Sequence, residues 1–335
     1  MSKAWKITVI IISILFLCIF AFLGVYYLWP WNKAFFDKAT QEFVIPGLDT
    51  KFVPQGFDKI DGSEKYIISG YMSDNSPSRY YIIDENGGVE KYFTLTSSGE
   101  DYVGHAGGVA SSGSTLWTVG DKMLYRFMLS DINKVENGGK VEIISTKQLS
   151  NGADCVFIYD KYLWIGEFYK EKDYETSQTH RLETRTGEIN PSLVYGYRIN
   201  ESMSNGLYED SPSKLLSIRG ECQGIAVTAD GKFVMSTSYG LKDSTLYYYN
   251  NVLDEERHDT FVLGKKMTDL WYLDGESLIS EVNAPAMSEE LVIKNNRVYI
   301  LFESACQKYK LFNRKQLNNV YSLDLSVFDN QKSAN

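Results

Sequence analysis

Apolar residues alternate with polar or small ones in short runs along most of this chain, the period of a half-buried β-strand. The clearest stretch runs from Glu221 to Asn250, ECQGIAVTADGKFVMSTSYGLKDSTLYYYN. It predicts a strand over GIAVT, a turn at Ala229, Asp230 and Gly231, a second strand over KFVMSTS, a polar loop, and a third strand over TLYYYN. β-Branched and aromatic side chains fill the strands, and Asp-Gly is a strong hairpin signal.

One such unit cannot bury both of its faces alone, and the chain repeats it. The strand–turn–strand portion returns as QGFDKIDGSEKYIISGY from Gln55, GGVASSGSTLWTVGD from Gly107, DCVFIYDKYLWIGEF from Asp154 and EELVIKNNRVYILFES from Glu289. A further apolar run follows each copy, at Ser78, Asp121, Ser192, Ser244 and Asn318. Spacings of roughly 45–70 residues fit the blades of a β-propeller, which repeat about every 40–50 residues, with the excess in loops. The expected fold is therefore all-β, a single propeller over residues 51–325 with five blades. The hairpin MTDLWYLDGESLISEVNAP at 267–285 is either the end of the fourth unit or a sixth blade. The third unit carries two long polar insertions, KEKDYETSQTHRLETRTGEINP and NESMSNGLYEDSPSK. Long loops over a rigid scaffold are where function concentrates.

A different pattern precedes the repeats. From Ile7 to Trp29 the chain is uninterruptedly apolar and uncharged, and about 20 such residues span a bilayer. Lys3 and Lys6 come before it, which assigns residues 1–6 to the cytoplasm and everything after residue 29 to the other side. Tyr26, Tyr27, Trp29 and Trp31 form an aromatic belt at the far interface. No small-x-small cleavage site follows, so the segment reads as a signal anchor that makes the chain a single-pass membrane protein. Residues 30–50 are a tether in which EFVIPGL is placed to supply the outermost strand of the last blade. Residues 326–335, beginning SVFDNQ, read as a polar, frayed tail.

Composition narrows the function. Tyr outnumbers the other aromatics, 24 against 17 Phe and 6 Trp, which suits half-buried strands and wet binding surfaces. A net charge of −9 without a basic stripe argues against nucleic acid as a partner. Of the cysteines, Cys18 lies in the apolar segment. Cys155, Cys222 and Cys306 permit at most one disulfide, have no CxxC spacing, and are expected to be buried structural residues. No GxGxxG, Walker, HExxH, GxSxG or EF-hand pattern occurs.

Aligning the units turns the sequence into a ring. The residues opening the inner strands are Gln55, Gly107, Asp154, Gln223 and Glu289. The matched ends of the second strands are Ser69–Gly70, Val119–Gly120, Gly166–Glu167, Ser236 and Glu303–Ser304. Gln55, Asp154, Gln223 and Glu289 are thus expected to face one polar mouth. His105 in GHAGG is the candidate base or metal ligand, because the glycines let backbone approach a ligand. His180 sits in the first insertion, and His258, after DEER, reads as a solvated face. The candidate ligand-binding channel comprises Gln55, His105, Asp154, Glu167, His180, Gln223, Ser236 and Glu303. Candidate catalytic residues are His105, Glu167 and Glu303, a channel carboxylate being able to act as acid or base when desolvation raises its pKa. Asp154 and Glu289, with the neighbouring carboxylates and amides, are candidate Ca²⁺ ligands, since Ca²⁺ takes six to eight oxygens.

PQGFD at Pro54, CQGIAVTADGKFVMSTSYG at Cys222 and TDLWYLDGESLISEVN at Thr268 resemble motifs of the five-bladed plant-type glutaminyl cyclotransferases. The units are also similar to those of lactonase- and quinoprotein-like propellers. The resemblance covers about a third of the chain and implies five blades. Where that family places a glutamate before the blade-opening glycine, this chain has Gln55 and Gln223. Two main readings stand. One is an extracytoplasmic, membrane-anchored propeller that binds a small molecule, peptide, glycan or cell-envelope component in its funnel, with Tyr71, Tyr169 and Tyr239 as aromatic contacts. The other is a hydrolase or acyl-transfer enzyme of lactonase, esterase or glutaminyl-cyclase type using His105 with channel carboxylates, with or without Ca²⁺. A structural assembly factor that contacts partners along its outer strands is a third class.

Overall fold

A computed structural model of the protein describes residues 3–149 and 152–329. Each repeat folds as an antiparallel sheet whose innermost strand begins near the aligned residue. These strands are Phe52–Lys59, Gly108–Ser112, Cys155–Tyr159, Cys222–Val227 and Ser288–Lys294. Each packs on the next, and the last packs on the first, so the ring is closed with five blades. The interfaces between blades are largely apolar. Tyr80 and Phe93 of the first blade, for example, lie 5.7 and 6.1 Å from Phe127 of the second.

The outer edges are built less regularly. The hairpin predicted at 267–285 is not a blade, and its two strands do not pair with each other. Lys266–Tyr272 adds in parallel to Lys214–Ile218 at the edge of the third blade, whereas Leu278–Ala284 pairs with Ser244–Tyr249 as the outer strand of the fourth. The second blade repeats this hand-over: Gly139–Glu142 runs parallel to Val89–Ser97 of the first blade before Ser145–Gln148 completes the second. Both additions cover a sheet edge that would otherwise expose unpaired backbone groups. The fifth blade is completed from the other end of the chain, where Thr40–Val44 pairs antiparallel with Asn319–Asp324.

Residues 326–329 of the expected frayed tail form a helical turn, with Phe328 fully buried and its ring 5.0 Å from that of Tyr248. Val327 and Phe328 are apolar, and their burial overrides the polar character of the rest. Residues 330–335 and residues 1–2 lie outside the described residues. The apolar N-terminal segment is a 26-residue helix, Lys3–Leu28, long and apolar enough to cross a membrane, with most of its described side chains exposed.

One buried side chain reaches across the centre of the ring to several blades. Glu290, on the innermost strand of the fifth blade, is fully buried and accepts hydrogen bonds from main-chain N–H groups of three other blades. Oε2 receives Phe57 N at 2.7 Å and Val109 N at 3.3 Å, and Oε1 receives Val156 N at 3.0 Å. The fourth blade approaches through Gly224, where a Cβ would stand 2.6 Å from Glu290 Cα. On the second blade a Cβ at Gly108 would stand 2.7 Å from Glu290 Oε1. Only glycine lets backbone come this near. Burial drives the Glu290 pKa well up, and the three N–H donors oppose that shift.

Glu290→Ala, which leaves three buried N–H groups unpaired, is expected to cost about 3–5 kcal/mol. Gly224→Ala, an overpacking change, is expected to cost about 1–3 kcal/mol. Urea unfolding of the two variants measures both. A loss below about 1 kcal/mol for Glu290→Ala would remove the hub role.

Candidate functional site

The strand ends at one face of the ring are broken by bulges, and the bulges aim the polar residues. In the first blade Pro54 pairs with Gly70 and Gly56 with Ser69, leaving Gln55 as the extra residue. In the fourth, Cys222 pairs with Thr237 and Gly224 with Ser236, leaving Gln223. In the fifth, Ser288 pairs with Phe302 and Leu291 with Ile300, so Glu289 and Glu290 face a single partner residue. A bulge redirects side chains without ending the strand. Gln55, Gln223 and Glu289 accordingly line a cavity of about 790 Å³ at this face, joined by Asp154 from the unbulged third blade.

Two buried glutamates stand together on its wall. Glu289 and Glu303 are hydrogen-bonded to each other, and Gln55 Nε2 donates to Glu303 Oε2 at 2.9 Å. Burial, and then the charge of Glu303, push the Glu289 pKa far up, so Glu289 keeps its proton. Burial raises Glu303 to about 8, against the opposing pull of Lys308 and of the hydrogen bonds from Gln55 and Glu289. Next to the pair lies Tyr71, whose hydroxyl accepts Lys308 Nζ at 2.6 Å and is 3.3 Å from that of Tyr309. The His105 ring stacks on Tyr71 at 4.8 Å. The cavity wall desolvates that ring and lowers its pKa, although Asp121 pulls the other way.

Across the cavity the first insertion of the third blade folds back, bringing Tyr174, Glu175, Thr176, Ser177 and His180 to the wall. His180 and Glu167 are both buried, with His180 Nδ1 3.1 Å from Glu167 Oε2. Glu167 also accepts Tyr195 OH at 3.0 Å and Leu193 N at 3.0 Å. With both oxygens occupied by donors, Glu167 holds the tautomer that carries its proton on Nδ1 and leaves Nε2 as the basic atom. Asp154 accepts Phe168 N at 2.9 Å, and burial raises its pKa to about 6. Phe168, Tyr174 and Tyr239 form an aromatic cluster with ring centroids 5.4–6.4 Å apart.

Of the residues singled out in the sequence, Gln55, His105, Asp154, Glu167, His180, Gln223, Glu289 and Glu303 line this one cavity. Ser236 does not. It is buried one strand further out, and its hydroxyl lies 2.6 Å from that of Ser288 on the next blade. The histidine that Glu167 engages is His180 rather than His105. Among the described residues the His105 ring has no hydrogen bond to a carboxylate, and only its main-chain N–H reaches Asp121, at 3.2 Å. Tyr169 is also off the cavity, with its ring under the Arg181 guanidinium at 5.1 Å. His258, expected to be solvated, has a side chain only 6% exposed and accepts Tyr272 N at 3.0 Å, because the edge strand added to the third blade covers it. No three His, Cys, Asp or Glu side chains converge as metal ligands among the described residues, so no cluster supports Asp154 and Glu289 as a Ca²⁺ site. The second insertion packs away from the cavity, its carbonyls at Glu201, Met203 and Ser204 accepting from Arg126. Tyr309 and Lys308 had no repeat counterpart to mark them.

No family model matches this chain, and no curated protein does either. Among solved structures it is similar to the PQQ-bound aldose sugar dehydrogenase from Streptomyces coelicolor, at 11% identity and a TM-score of 0.44 over 86% of this chain and 98% of that one. It is similar to BamB from Moraxella catarrhalis at 10% identity and a TM-score of 0.36, over 81% of this chain and 84% of that one. The Dos1 propeller matches at 11% identity and a TM-score of 0.34, over 79% and 71% of the two chains. At these scores no cofactor or ligand carries over, and the propeller assignment rests on the strand pairing above.

The raised carboxyl pKa values fix the sign of a pH dependence. Glu303 keeps its proton in the folded chain to about pH 8 but loses it near the ordinary value of 4.5 when unfolded. Its contribution is complete below that ordinary value and is lost as pH rises towards 8. Stability should therefore fall over this window by up to about 1.4 kcal/mol per pH unit for this group. Glu303→Gln should flatten the slope, as read from denaturant midpoints between pH 5 and 8. An unchanged slope would show that Glu303 titrates normally.

Proposed function

We propose that the cavity binds a small polar ligand rich in amines or hydroxyls, such as a peptide amino end, an amino sugar or a cell-envelope fragment. One observation carries the reading. Asp121, Asp154, Glu167, Glu175, Glu289 and Glu303 line one wall system, with Lys122 as the sole lysine or arginine of the lining among the described residues, beside the rings of Tyr71, Phe168, Tyr174, Tyr239 and Tyr309. Carboxylates such as those of Asp121 and Glu175 attract ammonium groups, the protonated Glu289–Glu303 pair donates to and accepts from hydroxyls, and aromatic faces cover the apolar side of a sugar or peptide. The volume suits a ligand of drug-like size. In this reading the N-terminal helix anchors the chain and the propeller works outside the cytoplasm.

The Glu167–His180 pair favours a second reading, hydrolysis or acyl transfer. His180 Nε2 would take a proton from water, and the protonated carboxyl of the Glu289–Glu303 pair would supply one to a leaving group. This places the base on His180, with Glu167 as its positioning residue.

Calorimetry with glucosamine, N-acetylmuramyl dipeptide and Gly-Gly-Gly tests the first reading. At least one should bind, and Glu303→Gln with Tyr71→Ala should weaken it ten-fold or more. Binding that survives both changes, or none at all from this panel, counts against an amine- or hydroxyl-seeking site. For the second, turnover of 4-methylumbelliferyl acetate or γ-butyrolactone should drop by about two orders of magnitude in His180→Ala. Equal rates in wild type and variant would end it.

A further inference from the structure

The loop Ala305–Leu317, ACQKYKLFNRKQL, departs from the rest of the molecule in composition. It carries Lys308, Lys310, Arg314 and Lys315 and no acidic residue, in a chain whose net charge is −9. At its tip Leu311 and Phe312 are 70% and 63% exposed, an arrangement that soluble surfaces rarely present on one turn. The tip is nevertheless ordered by its own backbone. Lys310 N bonds Cys306 O at 2.9 Å, Phe312 N bonds Tyr309 O at 3.1 Å, and the buried Asn313 accepts Lys315 N at 3.0 Å.

What the tip touches is the end of the N-terminal helix. Tyr26 OH donates to Phe312 O at 2.7 Å, and Tyr27 OH donates to Leu311 O at 2.8 Å. The Arg314 guanidinium lies 4.3 Å from the Trp31 ring and also pairs with Asp243, while Lys315 Nζ lies 5.3 Å from the Phe36 ring. Depth follows from length. From Ile7 to Tyr26 the helix rises about 29 Å at 1.5 Å per residue, close to the roughly 30 Å of a hydrocarbon core. Tyr26 and Tyr27 therefore sit at the outer interface if the helix spans, and Leu311 and Phe312 are held at the same level.

We propose that this loop is a membrane-docking element, resting on the reading of the helix as an anchor. Leu311 and Phe312 insert among the acyl chains at the outer leaflet, and Lys310, free of side-chain partners among the described residues, lies against anionic headgroups. Arg314 and Lys315 brace the loop on the tether. Because the same loop supplies Lys308 and Tyr309 to the cavity surroundings, docking holds that rim of the cavity at headgroup level. The helix alone would let the propeller tumble on its tether, and the loop gives it one orientation.

The test uses the full-length chain reconstituted in phosphatidylcholine vesicles with or without phosphatidylglycerol. A single polarity-sensitive probe is read by quenching from nitroxide-bearing lipids. Native Cys18 reports the helix. In a Cys18→Ser background Phe312→Cys reports the loop, and Glu85→Cys, in the exposed turn at the far end of the first blade, reports the opposite face. Cys18→Ser alone gives the background from the buried thiols. The expected result is quenching at Phe312→Cys at least three-fold above that at Glu85→Cys, weakened by Lys310→Glu only when phosphatidylglycerol is present. Strong quenching at Cys18 with equal, low quenching at both propeller positions overturns the docking and leaves the anchor standing. Absent quenching at Cys18 overturns the anchor and the docking together. An effect of Lys310→Glu that is the same in both vesicle types overturns the charge contribution.

Discussion

One carboxyl group on the axis ties the ring together. Glu290 accepts main-chain hydrogen bonds from the first, second and third blades while belonging to the fifth, and the fourth closes on it through Gly224. Elsewhere the blades meet largely through apolar faces, which resist separation but specify position weakly, with a few polar bonds between neighbouring pairs such as Ser111–Asp58 and Ser236–Ser288. Directional bonds to three blades fix where the innermost strands sit relative to each other. The same residue connects fold to site. It shares its bulge with Glu289, so the distortion that sends Glu290 into the axis also presents Glu289 to the cavity. Burying a carboxyl group this deeply raises its pKa, and the three N–H donors are what make the burial tolerable.

The cavity sorts its acidic groups by environment. Glu289 and Glu303 share a buried wall, where burial raises both pKa values and the charge of Glu303 raises that of Glu289 further. Glu167 is equally buried but is surrounded by a histidine, a tyrosine hydroxyl and a main-chain N–H, all donors. One wall thus offers a proton donor and the other a held imidazole. Ligand binding and proton transfer draw on the same contrast.

The edges carry the adaptations. Parallel strands borrowed from the following segment cover the first and third blades, and the strand after the N-terminal apolar helix completes the fifth. That last pairing brings the apolar helix to the fifth blade, whose long loop then meets Tyr26 and Tyr27. Ring closure by the N-terminal strand and proximity of the cavity rim to the helix end are consequences of one connection.

Period-two alternation and Asp-Gly or Asn-rich turns were enough to show five repeated hairpins, because strand and turn chemistry are local. Aligning those repeats also located Gln55, Asp154, Gln223 and Glu289, since equivalent positions in a ring share a face. Three things were beyond that alignment. The partner of Glu167 depended on how the first insertion folds back, so His105 looked the better base although His180 is the one in contact. Ser236 shared an aligned position with Glu167 and Glu303, yet it turns between blades to meet Ser288. Glu290 simply follows Glu289 in the sequence, and only closure of the ring shows that three blades deliver N–H groups to it. Sequence determines what is periodic and local here. Bulges, return loops and the meeting of distant blades are settled by packing, because the groups concerned come together only when the whole ring has closed.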